Sequence, residues 1–275
     1  MLPSTLFKII VSKNLLTYIP DFLKLCRRVG DIQLNGQNNL NINVKSDNSP
    51  VTNIDLYSNE IITNYLSTTF VNDVIISEEN LNQQVHQKSY WLVDPIDGTK
   101  NYIKGGKNFC ICISYIVSGY PVFGIIYIPA TKEFYYASKD NGAFIIKQGV
   151  EAQRILSNGE TKNNIYVSTV IRKSVVNILK KYFNSSELVS MSSAIKFTRI
   201  AESKGHFSIR LGPTHEWDTA AGQCIVEECG GLFLDRNLNR FSYGHDDKFL
   251  NGPFFIINGN LDSHKNCIKE CLSLI

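Results

Sequence analysis

Two carboxylates, Asp94 and Asp97, stand at the end of the run "WLVDPIDGTKNY" (91–102), in which Trp91, Leu92 and Val93 read as a buried strand. Other acids also fall at element ends: Asp55 where a helix starts, Glu78 and Glu79 after "VIIS", and Asp218 in "HEWDTAAG". Acids that follow apolar residues, or sit beside Trp217, Pro95 and Gly98, are costly to desolvate unless something positive compensates them. No Lys or Arg lies inside the Asp-Pro-Ile-Asp unit, so a bound divalent cation is the natural partner. Clustered carboxylates with a backbone carbonyl, here that of Ile96, form an all-oxygen site for a hard ion. Pro95 fixes the turn so that Asp94 and Asp97 can diverge towards two cations about 4 Å apart. Gly98 allows a close approach of the backbone, and the N–H groups opening a helix at Thr99-Lys100 would form an anion cradle. Cations beside an anion-binding helix start describe phosphate-ester hydrolysis. Taken alone, the segment reads equally well as a strand-to-helix turn that Asp94 caps.

The elements that must position these acids are legible from periodicity. Apolar residues at helical spacing predict helices over Asp21–Leu34 and Ile54–Phe70, the second started by "SDNSPVTN". "DVIIS" and "WLVD" read as strands, with the polar "NLNQQVHQKS" as a surface loop between them. From Phe109 to Ile146 four β-rich runs, punctuated by "SGYP", "PATK" and "KDNG", predict an antiparallel meander. Beyond residue 150 strands and helices alternate: "NIYVS", "KSVVNILKKYF", "SAIKFTRIAES", "GHFSIRL", "DTAAGQCIVEECG", "GLFL", "FFIIN" and a closing helix. Two lobes are expected, with a seam near 145–160. Residues 1–150 form an α+β lobe holding most of the acids, and 151–275 an α/β lobe holding Asp218.

Composition narrows the class. The 275 residues are 43% hydrophobic and 19% charged with a net charge of +3, enough for a substantial core. No dense Lys/Arg run appears, which argues against nucleic acid as the main partner. No apolar stretch is long enough for a transmembrane helix, and the N-terminal apolar runs are too interrupted for a secretory signal. The expected location is the cytoplasm, with peripheral association at the inner membrane face as the alternative. Seven cysteines without a CxxC read as reduced, buried thiols rather than zinc ligands.

The segments "KSDNSPVTNID" (45–55), "SEEN" (77–80), "WLVDPIDGTKNYIK" (91–104), "SSAIKF" (192–197) and "IRLGPTHEWDTAAGQ" (209–223) together resemble the inositol-monophosphatase superfamily of Mg²⁺-dependent, lithium-sensitive phosphatases. Within it they are most similar to the bacterial 3′(2′),5′-bisphosphate nucleotidase (CysQ) branch. The resemblance runs from about residue 17 to 260, leaving the first sixteen residues as an extension. It implies a layered αβαβα sandwich of two lobes and two to three Mg²⁺ ions. Glu78, Asp94 and the Ile96 carbonyl would hold one ion, and Asp94, Asp97 and Asp218 a second. A weaker third would attach through Glu78, with Glu79 in doubt. Asp55 and Thr99, the latter orienting the attacking water, would be catalytic together with Glu78.

Gly98 and Thr99 amides would carry the scissile phosphate, while Ser193, Lys196, Arg210, His215, Glu216 and Asp218 would meet the rest of the substrate. Where inositol phosphatases carry an acid near the position of Arg210, a cation suits a second phosphate, because guanidinium pairs with phosphate in a planar fork. The implied reaction converts adenosine 3′,5′-bisphosphate to AMP, within sulfur metabolism, by a monomer or homodimer. An inositol- or sugar-phosphate phosphatase is the alternative. Two segments depart from the nucleotidase pattern. "STVIRK" (168–173) replaces a Ser-Arg-Ser-His run, with Arg172 as a partial substitute, and Ser192 and Ala194 alter a Gly-Ser-Ser turn. A catalytically dead anion sensor would be expected to lack one of the acids or the threonine, and all are present.

Overall fold

The computed structural model describes residues 14–80, 87–156, 163–245 and 248–275. Two long helices come first. α1 (Ile19–Gly36) starts on Pro20 and Asp21 and buries Phe22, Leu25, Cys26 and Val29 along one stripe. A hairpin of β1 (Ile42–Val44) and β2 (Pro50–Thr52) leads into α2 (Asn53–Thr69). Thr52 caps α2: its hydroxyl accepts from the Ile54 and Asp55 amides, while Asp55 accepts in return from the Thr52 amide.

A seven-stranded sheet follows in chain order: β3 (Val74–Ser77), β4 (Ser89–Asp97), β5 (Cys110–Val117), β6 (Tyr120–Ile128), β7 (Glu133–Ser138), β8 (Gly142–Ile146) and β9 (Gln153–Ile155). Only β3 and β4 are parallel; the rest is the expected meander, extended by β9. α3 (Thr99–Ile103) is a single turn after β4. Strand period-2 alternation divides the side chains. Trp91 and Val93 join the core under α1 and α2, while Tyr90 and Leu92 face the opposite way. That opposite face is also covered, by α5 (Ile195–Ala201) and α6 (Ala220–Glu228), so every residue of β5 is buried. At Gly124 a Cβ would sit 2.7 Å from the Ala221 carbonyl oxygen. Only glycine lets α6 lie this close to the sheet.

The second sheet runs β11-β10-β12-β16-β14, built from β10 (Asn164–Val167), β11 (Glu187–Ser190), β12 (Phe207–Arg210), β14 (Leu232–Asp235) and β16 (Phe254–Ile257). One of its faces shares the core of α5 and α6; the other packs on α4 (Lys173–Tyr182) and α7 (Lys265–Leu272). Helix, sheet, helix, sheet and helix therefore stack as the expected αβαβα sandwich. A two-residue ladder of β13 (Thr214–His215) and β15 (Leu250–Asn251) closes one rim. No helix among the described residues is long and apolar enough to cross a membrane.

Several local expectations change. The β1–β2 hairpin, exposed along β1, lies in a polar stretch without strand periodicity, and β11 is a four-residue edge strand in a stretch given no element from the sequence. The helix expected from Asp218 begins as a 3₁₀ turn over Glu216–Asp218, with the α-helix starting at Ala220. The N-terminal extension up to residue 13, most of the "NLNQQVHQKS" loop (81–86) and part of the expected seam (157–162) lie outside the described residues.

Candidate active site

The opening of the site is a register problem solved by one extra residue. On β5 the partners of Asp94 and Asp97 are Cys112 and Cys110, so three steps on β4 oppose two on β5. In a regular strand residues three apart face opposite sides. The bulge returns Asp97 to the side of Asp94. Pro95 suits it, since a bulge tolerates a residue with no N–H to give, and the Pro95 carbonyl accepts from Gln33 Nε2 at 2.8 Å. The Ile96 amide donates to Asp94 Oδ1 at 3.0 Å, fixing that carboxylate. Because β3 lies parallel to β4 with Ser77 opposite Val93, Glu78 follows beside Asp94, its amide donating to the Val93 carbonyl.

Asp218 arrives from far along the chain. The 3₁₀ turn at Glu216–Asp218 presents it, and the His215 amide donates to its Oδ2 at 2.9 Å. Carboxylate oxygens of Asp94, Asp97 and Asp218 then all lie within 4.8 Å of one another. Among the described residues none of the three makes an ion pair. Burial, then the charges of Glu78, Asp97 and Asp218, push the Asp94 carboxyl well above the usual carboxylate range. Burial and neighbouring acids likewise raise Asp218 well above it, and burial raises Asp97 even against the opposing pull of Lys196.

Thr99 stands at the edge of this cluster. Its hydroxyl lies 3.2 Å from Asp55 Oδ1 and 3.0 Å from the Ile96 carbonyl oxygen, so its one proton serves one acceptor at a time. Asp55 is 1% exposed and sits behind Thr99 rather than on the cleft wall, held by Thr52 through both backbone and hydroxyl. Burial raises its carboxyl too. Gly98 has φ +104°, and a Cβ there would stand 2.9 Å from the Asn108 carbonyl oxygen; the turn into α3 therefore requires glycine.

A cavity of about 550 Å³ opens over these groups. Glu78, Asp94, Ile96, Asp97, Gly98, Thr99, Ser193, Lys196, Arg210, His215 and Asp218 all line it. Lys196 comes from α5, where burial lowers its ammonium pKa, and it donates to the Ser193 carbonyl at 2.7 Å. Arg210, at the end of β12, is held by Ser168 Oγ at 2.8 Å and by the Gly212 and Pro213 carbonyls.

Two expected contributors are elsewhere. Glu216, expected to face a ligand, is 2% exposed and turned into the core, where its carboxylate accepts from the Gly244 amide at 2.7 Å and the Tyr90 hydroxyl at 3.3 Å. Arg172 donates to the Leu274 carbonyl and does not line the cleft. Trp217 is buried and stacks on His215 at 4.6 Å between centroids, a support for the cleft wall.

Lys45 is a site residue that reading the sequence missed. Its ammonium pairs with both Glu78 and Glu79 at 2.8 Å, with the Glu79 side chain 3% exposed. Burial pushes the Glu79 carboxyl up to about 7. The signal was present in "KSDNSPVT", which Lys45 opens, but only the β1–β2 hairpin brings it across to the acids. Ser168, which opens "STVIRK" and was given no role from the sequence, orients Arg210.

A family model described as the inositol monophosphatase family matches residues 22–265. The 3′(2′),5′-bisphosphate nucleotidase CysQ of Buchnera aphidicola subsp. Acyrthosiphon pisum is 35% identical over 227 residues, 80% of this chain and 85% of that protein. The crystal structure of CysQ from Bacteroides thetaiotaomicron superposes with a TM-score of 0.74 at 28% identity, covering 88% of this chain and 98% of that one. An IMPase/NADP phosphatase complexed with Mg²⁺ and phosphate has the same fold, with a TM-score of 0.74 at 21% identity over 94% of this chain and 95% of that one. With the match spanning nearly all of the described residues, this chain belongs to the inositol monophosphatase family and is a hydrolase of phosphate monoesters.

Proposed function

We propose that the substrate is a 3′(2′),5′-bisphosphate nucleotide, adenosine 3′,5′-bisphosphate foremost, cleaved to AMP and phosphate with two to three Mg²⁺ ions. The observation that carries the reading is that one cavity is lined both by the carboxylate cluster and by two cations, Lys196 and Arg210. A substrate with two phosphates meets both. The curated relatives that carry the bisphosphate-nucleotidase name support the same choice.

The donor set fits a hard divalent ion: the converging oxygens of Asp94, Asp97 and Asp218 make no ion pair within the described residues, and burial with neighbouring acids makes Asp94 and Asp218 costly to ionise. Glu78, Asp94 and the Ile96 carbonyl would hold one ion, and Asp94, Asp97 and Asp218 another. Bound there, Mg²⁺ supplies Lewis-acid polarisation of phosphoryl oxygens and acidifies water. The chain's own residues do the rest. The Thr99 hydroxyl, when its proton points to Asp55 Oδ1, offers its lone pairs to a water and holds it in line with the ester. Asp55, with its affinity for a proton raised by burial, receives that proton by way of Thr99. Gly98 leaves its amide and that of Thr99 open to phosphate oxygens. We also infer two lobes, 1–150 and 151–275, whose seam this cleft occupies.

Purified protein with Mg²⁺ is expected to release phosphate from adenosine 3′,5′-bisphosphate far faster than from inositol 1-phosphate, with Li⁺ inhibiting. The reverse preference overturns the nucleotide assignment. One observation favours the sugar-phosphate alternative: Arg210 already spends three of its five N–H donors on Ser168, Gly212 and Pro213. Arg210→Met decides between them, raising KM for the bisphosphate and leaving a monophosphate unaffected.

A further inference from the structure

On the face of β5 that meets the acids, the two residues opposite Asp97 and Asp94 are both cysteines. Cys110 Sγ lies 3.7 Å from Asp97 Oδ2 and 3.9 Å from Cys112 Sγ, and all three ligand atoms fall within 4.8 Å of one another. A tetrahedral zinc-class ion, with bonds of about 2.3 Å to sulfur and about 2.0–2.2 Å to oxygen, spaces its sulfurs about 3.8 Å apart and each sulfur about 3.5 Å from the oxygen. The two separations that Cys110 makes match those edges to within a few tenths of an ångström, and the Cys112–Asp97 edge closes within 4.8 Å. The Ser193 hydroxyl is a further polar neighbour of the Cys110 thiol.

We propose that Asp97, Cys110 and Cys112 form a second metal site, selective for a thiophilic divalent ion of the Zn²⁺ or Cd²⁺ kind, which inhibits the enzyme by taking Asp97 away from the oxygen cluster. Binding displaces one proton from each thiol to solvent, leaving two thiolates and one carboxylate on a dication. Mg²⁺ does not compete for the sulfurs, because hard ions avoid thiolate. It competes for Asp97: a dication seated on the thiolates draws that carboxylate towards the sulfurs and repels a second dication beside it. The same carboxylate thus belongs to a hard site on one side and a soft site on the other. The thiols are buried, so the ion enters from the cleft past Asp97, which is partly exposed.

Cd²⁺ titrated into the metal-free full chain is expected to produce a near-ultraviolet thiolate-to-metal absorption band at one equivalent. The band should vanish in Cys112→Ala and Cys110→Ser and persist in Cys271→Ser, which breaks a separate hydrogen-bonded cysteine pair, Cys267–Cys271 on α7. Excess Mg²⁺ should shift the Cd²⁺ titration of the unaltered protein to higher concentration, a readout that needs no variant to fold. In the Mg²⁺-driven reaction Zn²⁺ should inhibit, and Cys112→Ala should raise its half-inhibiting concentration at least about tenfold with basal turnover retained. No band in the unaltered protein, or a band that survives Cys112→Ala, overturns the site. Unchanged Zn²⁺ sensitivity in that variant, with the band lost, overturns the inhibitory role. The absorption arm stands whatever the substrate proves to be.

Discussion

Among the described residues, two groups of buried charge differ in how they are balanced. Under α5, Arg199 binds Glu133 at 2.9 Å and Glu202 at 3.0 Å, Lys204 adds a third contact at 2.9 Å, and the Tyr135 hydroxyl completes the network. Every charge there has a partner from the chain itself. Burial alone would raise the Glu133 carboxyl, but the Arg199 hydrogen bond and charge hold it below its usual value. In the cleft the balance is reversed: burial raises Asp94, Asp97 and Asp218, neighbouring acids add to it, and no arginine or lysine forms an ion pair with them among the described residues. A completed network is architecture. An incomplete one, costly to keep, is held for a ligand.

Asp94→Asn tests that contrast most severely. Turnover should fall by about 10³-fold or more, while the metal-free protein should melt higher because one repulsive charge is gone. Phosphate release and melting in chelator measure the two halves. A variant that melts lower than its parent in chelator would mean that repulsion does not distinguish the cleft. Arg199→Met is the mirror experiment. Stranding Glu133 and Glu202 should cost about 3 kcal/mol of stability by denaturant titration, with activity per folded molecule retained. Thr99→Ala should lower kcat by about 10²-fold with KM little changed, as expected for a residue that positions water rather than substrate.

The smallest effect is also the most diagnostic, because the two clusters carry opposite signs. The cleft acids keep their protons in the folded state at pH values where the unfolded chain has already lost them. Metal-free stability should therefore fall as pH rises from about 4. Glu133, whose folded value is depressed, contributes in the other direction: its stabilisation is present above the ordinary glutamate range and is lost on acidification. Added Mg²⁺ should cancel the alkaline loss by binding only the folded, ionised cleft. Melting curves across pH with and without Mg²⁺ separate the two, and a metal-free profile that rises steadily with pH would remove the distinction.

Much of this was legible in the residues because the acids sit where apolar runs stop. "VIISEE" and "WLVD" mark strand ends by composition alone; the first strand ends there, while the second runs on through the bulge to Asp97. What the sequence could not disclose is facing. Spacing of three between Asp94 and Asp97 argues for opposite sides until the bulge opposite Cys110 and Cys112 is seen. Glu216 misled for a related reason: its neighbours His215 and Asp218 do line the cleft, but a 3₁₀ turn rotates each residue by about a third of a circle and sends Glu216 inward. Lys45 lay in a polar hairpin too short for periodicity to register.

Asp55, Asp94 and Asp218 are separated by long stretches of chain, and the Ala194 amide bonds the Asp97 carboxylate across almost a hundred residues. A nascent polypeptide synthesised only as far as β11 owns most of the acids yet has no means of closing the ring. Hydrolysis must then switch on abruptly, once the late segments have docked, making the first turnover a clock for the end of folding.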